Sequence, residues 1–207
     1  MSDPGLAARV AALDEATETG QWQRHAPVRH AGQALDGWIS DARWGTATGF
    51  PVLYLGRPTN SVIVEAYRHQ VDPIMFDDPD DRDRFLAGLM PRVLVTCTVR
   101  VTLLLDLRSA AARAAVGLTI QDLSSAVNDR DSYERCQTVA QVAHQLGRHG
   151  VLAPAATGVG ETLALFTDRL PVAERPARAF EDRQWAHLPP DPRQALVRAL
   201  RVVTNES

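Results

Sequence analysis

Three side chains with complementary chemistry stand at a regular interval in the first third of the chain. Arg43 is followed by Tyr54 eleven residues later, and by Glu65 after eleven more. A guanidinium group binds phosphate or carboxylate through paired hydrogen bonds, a phenol ring stacks on flat groups, and a carboxylate stabilises positive charge. Together they could form a pocket for an anionic substrate that carries a flat leaving group.

Each of these residues also has an ordinary explanation. An arginine near an acidic residue such as Asp41 commonly forms a surface ion pair, a strand tyrosine covers the core, and a helical glutamate faces water. The setting of Glu65 favours the functional interpretation. Glu65 is the single charged residue of the mostly apolar segment 61–67, so we expect its carboxylate to be half-buried and to need a partner.

Hydrophobic periodicity predicts the elements that carry these side chains. Residues 51–55 form an apolar β-type run that contains Tyr54, and the helical pattern from Thr59 to Tyr67 contains Glu65. Between Gly20 and Gly49 the periodicity fades, so we expect Arg43 to lie in an irregular, partly buried segment.

Helices and strands alternate along the rest of the chain. The predicted elements are an amphipathic helix over 5–17, one or two central strands over 93–107, an alanine-rich helix over 109–116, a helix over 133–146 that Gly150 stops, strands over 151–153 and 162–166 around a hairpin turn at 158–160, and a final helix that begins at Asp191 and continues through Val203. The acidic segment 77–83 lacks the pattern of a calcium loop, and we expect a solvated loop with a helix cap. This alternation indicates an α+β (mixed α/β) fold, with a helical arm over 1–20 and one domain over 21–207.

Composition excludes several functions. The 207 residues include 22 arginines and no lysine, so Schiff-base chemistry is excluded and phosphate would have to be bound by guanidinium groups. The formal charge of -3 does not favour nucleic acid or an anionic membrane as a partner, and no apolar stretch is long enough to span a bilayer, so we expect a cytosolic protein. Cys97 and Cys136 are expected to be reduced packing thiols. Phosphate-loop, dinucleotide-fold and zinc-protease motifs are absent.

Several short motifs, taken together, resemble the RES-domain proteins, which are toxins of bacterial toxin-antitoxin pairs that consume NAD, and most closely their mycobacterial NAD-phosphorylase branch. The resemblance covers roughly residues 22–200. It depends on the following segments: Arg43-Trp44 with Tyr54-Leu55 and Glu65, Leu105-Asp106-Leu107, Arg113 to Leu118, Cys136-Gln137, and Gly150 to Gly160. It implies a fold similar to the ADP-ribosyltransferase toxins, with a mixed sheet flanked by helices and a cleft that binds NAD.

The resemblance also implies roles for individual residues. Arg43, Tyr54 and Glu65 match the family's catalytic arginine, tyrosine and glutamate. Arg24 and His25 correspond to an Arg-Tyr pair of the closer relatives and would bind substrate, with histidine in place of tyrosine. The family's serine is replaced at the Pro154-Ala155 step, as in the mycobacterial branch, which uses a serine just before its Cys-Gln pair. Glu134 stands in closer ungapped register with that serine, but Ser132 is the expected substitute in substrate binding. Thr157 is a second hydroxyl there, although a turn threonine usually makes local hydrogen bonds.

The activity implied is cleavage of the nicotinamide–ribose bond of NAD, by phosphorolysis or hydrolysis, as in a glycosyltransferase or hydrolase. NAD would be the substrate, inorganic phosphate a candidate co-substrate, and neither a metal nor a resident cofactor is needed. The expected partner is a cognate antitoxin with a helix-turn-helix DNA-binding domain, in a larger toxin-antitoxin assembly without direct contact between this chain and nucleic acid. A catalytically silent member that binds a ligand or partner, and a protein ADP-ribosyltransferase, remain the alternatives.

Overall fold

A mixed sheet lies at the centre of the computed structural model, which describes residues 5–126 and 128–194. Its strands within those residues are β1 (Glu15–Pro27), β2 (Val52–Arg57), β3 (Arg92–Asp106), β4 (Gly150–Pro154), β5 (Glu161–Phe166), β6 (Ala177–Arg178) and β7 (Arg183–Trp185). Pairing runs from β1 through β2, β5 and β4 to β3, and β3 pairs with β1, so these strands close into a ring. β3 and β4 are parallel, while the other neighbours in the ring are antiparallel. The expected α+β class is confirmed.

Six α-helices surround this sheet in the described part of the chain. They are α1 (Leu6–Ala11), α2 (Thr59–Gln70), α3 (Pro79–Gly88), α4 (Ala110–Ala115), α5 (Ile120–Ser124) and α6 (Arg130–Gln145), with 3₁₀ turns at Val28–Gln33 and Val172–Glu174. The predicted helix after Pro58 and the predicted alanine-rich helix are confirmed. Asp78 caps α3 by accepting a hydrogen bond from the Asp81 amide at 2.7 Å, which confirms the cap expected in the acidic segment. The expected loop is wrong for residues 79–83, which belong to α3 because this cap starts the helix there.

The buried stripe of α6 explains how the longest helix is fixed on the sheet. Cys136, Val139, Ala140 and Ala143 recur every three or four residues and pack with sheet residues such as Val151 in one core cluster. The helix ends at Gln145, five residues before the glycine that was expected to stop it. Gly147, at φ +80°, supplies the left-handed residue that closes the last turn.

β1 corrects the expectation of an irregular segment after Gly20. The strand has 13 residues and pairs with β3 along almost its whole length, from Glu15 opposite Leu105 to Pro27 opposite Arg92. Its buried residues recur every fourth position, at Glu18, Trp22 and Ala26, so it lacks the alternation typical of a half-buried strand. Backbone pairing with β3 forms the strand in spite of this polar pattern.

The two ends of the chain also differ from the predicted pattern. The first helix covers Leu6–Ala11 instead of residues 5–17, because residues from Glu15 onward belong to β1. Leu6 and Val10 are buried in the main core cluster, so this helix packs against the domain. The final helix expected from Asp191 lies, beyond residue 194, outside the described residues.

The hairpin, the long central strand and the two cysteines match their predictions. β4 and β5 form an antiparallel hairpin, with Gly158 and Gly160 both at φ +75° in the turn between them. The run 93–107 forms the single long strand β3, which lies between β4 and β1. Cys97 and Cys136 are buried free thiols. Among the helices that the structure describes, none is long and apolar enough to cross a membrane.

Candidate active site

A cavity of about 430 Å³ opens between β1, β2, α2 and the loop 40–44. This volume lies within the range of roughly 300–1,000 Å³ that is usual for small-molecule sites. Five of the six predicted site residues line it: Arg24, His25, Arg43, Tyr54 and Glu65. The three residues at eleven-residue spacing therefore share one cavity, although they come from a loop, a strand and a helix.

Glu65 lies on α2 and contributes its carboxylate to the cavity wall. Its side chain is 38% exposed, and Nε2 of the His69 imidazole lies 3.9 Å from Oε1. Burial among protein atoms raises the pKa of this carboxyl, while the charges of His69, Arg24, Arg68 and Arg92 act in the opposite direction. The cavity wall thus holds a partly exposed carboxylate within the field of several arginines.

Tyr54 on β2 fixes the loop that carries Arg43. The Tyr54 hydroxyl accepts a hydrogen bond from the backbone N–H of Trp44 at 2.9 Å. Burial raises the pKa of this phenol, so it stays protonated and keeps its own hydrogen to donate. The ring is therefore both a wall of the cavity and a support for the loop.

Gln137 on α6 holds the same loop from the other side. Its side-chain nitrogen lies 2.9 Å from the carbonyl of Ala42, 3.0 Å from that of Gly45 and 2.8 Å from a carboxylate oxygen of Asp41. Gln137 is buried, so these bonds exchange little with water. The Cys-Gln pair of the sequence thus has a physical role, since it ties the arginine loop to the longest helix.

Arg43 is a buried cation with a rigid environment. Its Nη1 donates to the carbonyl of Asp122 and, at 3.1 Å, to the hydroxyl of Ser125, while Nη2 donates to the carbonyl of Ser125 at 2.9 Å. The guanidinium also lies 4.5 Å from the ring centroid of Tyr133. These contacts preorganise its charge, and the described bonds leave Nε and part of Nη2 for a ligand.

Arg24 and His25 lie next to each other on β1, at another wall of the cavity. Arg24 donates from Nη1 to the carbonyls of Ala34 and Asp36, at 3.2 and 3.3 Å. Nδ1 of His25 lies 2.7 Å from Nε of Arg92, which donates to it. Burial, followed by the charges of Arg92, His69 and Arg24, lowers the pKa of His25 well below its ordinary value, so the imidazole is neutral.

A comparison with known protein families identifies the family of this chain. The model of the RES domain matches residues 11–191. The chain belongs to the RES-domain family.

Individual relatives agree with this assignment. The chain is 28% identical over 173 residues to the NAD(+) phosphorylase MbcT of Mycobacterium bovis and to that of Mycobacterium tuberculosis, covering 81% of this chain and 84% of either relative. Its fold is similar to a chain of the crystal structure of the M. tuberculosis MbcT-MbcA toxin-antitoxin complex, with a TM-score of 0.71, 26% identity, and coverage of 88% of this chain and 93% of that chain.

Ser132 is the predicted site residue that this RES domain does not bring to the cavity. It lies in the first turn of α6, where its hydroxyl donates to a carboxylate oxygen of Asp122 at 3.3 Å, in a separate open depression. Its neighbour Tyr133 lines the cavity instead, because one helical step of about 100° turns adjacent side chains to different faces. The serine that contacts Arg43 is Ser125, which sequence reasoning missed.

The hydroxyl at Thr157 behaves as the turn motif suggests and also reaches a neighbouring element. Thr157 Oγ1 donates to the carbonyl of Val159 at 3.0 Å and lies 2.9 Å from the hydroxyl of Ser61 on α2. Thr157 lines the cavity, whereas Ala155, at the position of the family serine, is buried.

Two further arginines of the RES cavity were not predicted. Arg68 follows Glu65 by three positions on α2, and its Nη2 donates to the carbonyl of Ser125 at 2.9 Å. The i, i+3 spacing on a predicted helix is a signal that could have found it. Arg92 begins β3 opposite Pro27, and no signal was available because β1 itself was not predicted.

Proposed function

We propose that this RES-domain protein cleaves NAD between nicotinamide and ribose, transfers the ADP-ribosyl group to inorganic phosphate, and acts as the toxin of a toxin-antitoxin pair. The observation that carries the proposal is the arginine-lined cavity with the carboxylate of Glu65 in its wall, within the field of those arginines. The likeness to NAD(+) phosphorylase MbcT supports the choice of substrate and of acceptor.

The reaction suits this set of side chains. A phosphate oxygen forms a bond to C1″ of the nicotinamide ribose, the bond from C1″ to the ring nitrogen breaks, and its electron pair neutralises the pyridinium as nicotinamide leaves. The transition state resembles an oxocarbenium ion, as in glycoside hydrolysis. Because the leaving group already carries positive charge, the site has to position and neutralise more than it has to transfer protons.

Each residue then has a defined task. The carboxylate of Glu65 stabilises the positive charge that develops on the ribose, and the arginines bind the anionic groups of the substrates. Tyr54 stacks against or donates to the nicotinamide ribose, since its hydroxyl keeps its hydrogen. Its bond to Trp44 N–H ties that position to the arginine loop.

A partner protein completes the proposal. A cell that contains an unrestrained NAD-degrading enzyme loses its NAD, so the cavity must be blocked until the toxin is released. We propose a cognate antitoxin with a helix-turn-helix domain, supported by the likeness to the MbcT-MbcA complex. Co-purification of this chain with the product of an adjacent reading frame, with loss of NAD cleavage in the complex, is the expected result.

The enzymatic part is tested with the purified full chain and NAD, with and without inorganic phosphate. We expect nicotinamide to be released only when phosphate is present, with ADP-ribose 1″-phosphate as the other product. Proton and phosphorus NMR would detect both products. Glu65→Gln should slow the release by about a hundredfold or more. Glu134→Gln, an exposed glutamate on α6, is the matched control and should be fully active.

Other products would point to other functions. Free ADP-ribose at the same rate without phosphate would mean hydrolysis, and ADP-ribose attached to a protein would mean protein modification. Binding of NAD by the folded protein without any nicotinamide release would identify a catalytically silent member and would overturn the proposal.

A further inference from the structure

The cavity holds more positive charge than a dinucleotide alone requires. Within the described residues its arginines are Arg24, Arg43, Arg68 and Arg92. Of the two carboxylates in its lining, Asp41 is committed to Arg130 at 2.7 Å and Gln137 at 2.8 Å, which leaves Glu65 to balance the arginines. A surplus of about three charges remains, whereas the pyrophosphate of a dinucleotide carries about two, one for each phosphate. The difference corresponds to one further small anion.

The four arginines form two separate pairs. Nη2 of Arg43 and Nη2 of Arg68 both donate to the carbonyl of Ser125, each at 2.9 Å, so these guanidinium groups lie side by side. Each lies close enough to the other that the charge of Arg43 contributes to lowering the pKa of Arg68, after burial. Such a tandem of fixed guanidinium groups suits an extended anion with two phosphates.

The second pair surrounds a neutral hydrogen-bond donor. Arg24 precedes His25 on β1, Arg92 bonds to His25, and the pKa of Arg92 is lowered by burial and then by the charge of Arg24. Since Nε of Arg92 donates to Nδ1 of His25, the imidazole carries its hydrogen on Nε2. Gln70 accepts from Nη1 of Arg92 at 2.6 Å and holds that side chain from the end of α2. Two guanidinium groups and a neutral imidazole thus line the same cavity, with Arg92 bonded to His25 and Arg24 next to His25 on β1.

We propose that Arg24, His25 and Arg92 form the subsite for one compact oxyanion, the inorganic phosphate co-substrate, while Arg43 and Arg68 bind the pyrophosphate of the dinucleotide. This rests on the proposed phosphorolysis and adds to it the place from which the acceptor attacks. A tetrahedral phosphate accepts hydrogen bonds from several directions, which matches donors that come from two strands.

The kinetic test separates the two substrates. Arg92→Gln should raise the KM for phosphate by about tenfold or more, the loss of one charge-assisted bond, and change the KM for NAD less than about threefold. Arg68→Gln should show the opposite pattern. An Arg92→Gln enzyme whose KM for NAD rises as much as its KM for phosphate would overturn the assignment.

Binding of phosphate without NAD gives a readout that does not need turnover. Inorganic phosphate alone should raise the melting temperature of the wild-type chain and of Arg68→Gln, and should have less effect on Arg92→Gln. Equal protection of Arg92→Gln and wild type would contradict the subsite. If the wild-type chain binds phosphate at Arg92 but releases no nicotinamide, the proposed function fails while the anion site stands.

A second variant covers the case in which Arg92→Gln does not fold. Arg92→Lys keeps the positive charge and loses the planar fork and its bond to His25. We expect a smaller rise in the KM for phosphate than in Arg92→Gln and an unchanged circular dichroism spectrum. An unchanged KM for phosphate in Arg92→Lys would contradict a role for the planar guanidinium group of Arg92.

Discussion

The ionised carboxylate of Glu65 carries a cost in folding stability. Burial raises its pKa even though Arg24, Arg68 and Arg92 lie near it, so the ionised carboxylate is less well stabilised in the folded chain than in water. Active sites commonly contain such groups, because a carboxylate that is incompletely neutralised is available to a developing cation. The reaction rate and the folding stability of the variant Glu65→Gln therefore both test this account of the carboxylate.

The first property is the rate. Glu65→Gln keeps the size of the side chain and removes the charge that would stabilise the oxocarbenium ion. We expect kcat for NAD cleavage to fall by about 10²- to 10³-fold. Nicotinamide release at saturating NAD and phosphate measures it. A loss of less than about tenfold would show that the carboxylate does not act on the transition state.

The second property is stability. Because the pKa of Glu65 is raised on folding, the folded chain holds more protons than the unfolded chain between pH 4.5 and the raised value, and stability falls as pH rises through that window. Glu65→Gln should therefore melt higher than wild type at pH 7. The side chain is 38% exposed, so the rise should be only about 1–2 °C. The difference should vanish below pH 4.5, whereas a variant that melts lower at pH 7 would contradict the description.

Tyr54 links the cavity to the arginine loop through a single hydrogen bond. Tyr54→Phe removes the acceptor of the Trp44 N–H. It should lower kcat/KM for NAD by about ten- to a hundredfold, because the loop that carries Arg43 is then less firmly positioned. Tyr67→Phe is the matched control, since that hydroxyl bonds the carbonyl of Pro189 and the residue does not line the cavity. Equal losses of activity in the two variants would indicate a general structural effect.

The loop and the short helix α5 show how secondary elements fix the cations. Asp122 on α5 accepts hydrogen bonds from the backbone and hydroxyl of Thr119 and from Arg135, while its carbonyl accepts from Arg43. Burial acts against ionisation of this carboxyl, but the bonds from Arg135 and Thr119 outweigh it and lower its pKa to about 2. The charge of one aspartate thus stabilises the element that orients the cavity arginines.

Asp122→Asn should therefore weaken the fold and the site together. The folded pKa lies below the unfolded value of 3.8, so the carboxylate contributes its stability above pH 3.8 and loses it as pH falls towards 2. We expect a loss of about 2 kcal/mol in the free energy of unfolding at pH 7, which urea denaturation measures. Asp131→Asn, an exposed aspartate in the first turn of α6, should change it by less than about 0.5 kcal/mol.

Elements with strong local sequence patterns could be predicted from the sequence, whereas elements that depend on contacts between distant residues could not. α2 and β2 carry strong local patterns, so Glu65 and Tyr54 were placed on the correct elements. β1 forms through backbone pairing with β3, and its buried charge Glu18 is satisfied by Arg57 at 2.7 Å, a contact between residues far apart in the chain. Local periodicity carries no information on such pairing, which is why the contact between His25 and Arg92 could not be predicted.

Ser132 shows a different limit. It was chosen for its position before the Cys-Gln pair, but a shift of one residue on a helix moves a side chain to another face. The structure places Tyr133 at the cavity and Ser125, on the preceding loop, at Arg43. Loop conformation between α5 and α6 decides this, and loops are the part of a chain with the weakest sequence signal.

Across the whole molecule, negative net charge surrounds a positive cavity. The chain carries a formal charge of -3, while the cavity lining is dominated by arginines. Low-dielectric walls focus the field of such a cleft, and mobile salt screens it over a Debye length of about 10 Å at 0.1 M. Capture of an anionic dinucleotide should then depend on ionic strength although the protein as a whole repels anions.

The salt dependence of kcat/KM for NAD provides the measurement. With phosphate held constant, raising sodium chloride from about 0.02 M to about 0.2 M should lower kcat/KM by about threefold or more. The reason is that the exposed charges of the cavity attract NAD to the enzyme, and salt screens this attraction. Arg68→Gln should flatten this dependence, since it removes one of the steering charges. Arg100→Gln removes the same charge from an exposed position on β3 outside the cavity lining and should keep the wild-type slope. Equal slopes for both variants would mean that total charge, and not the cavity field, governs capture of the substrate.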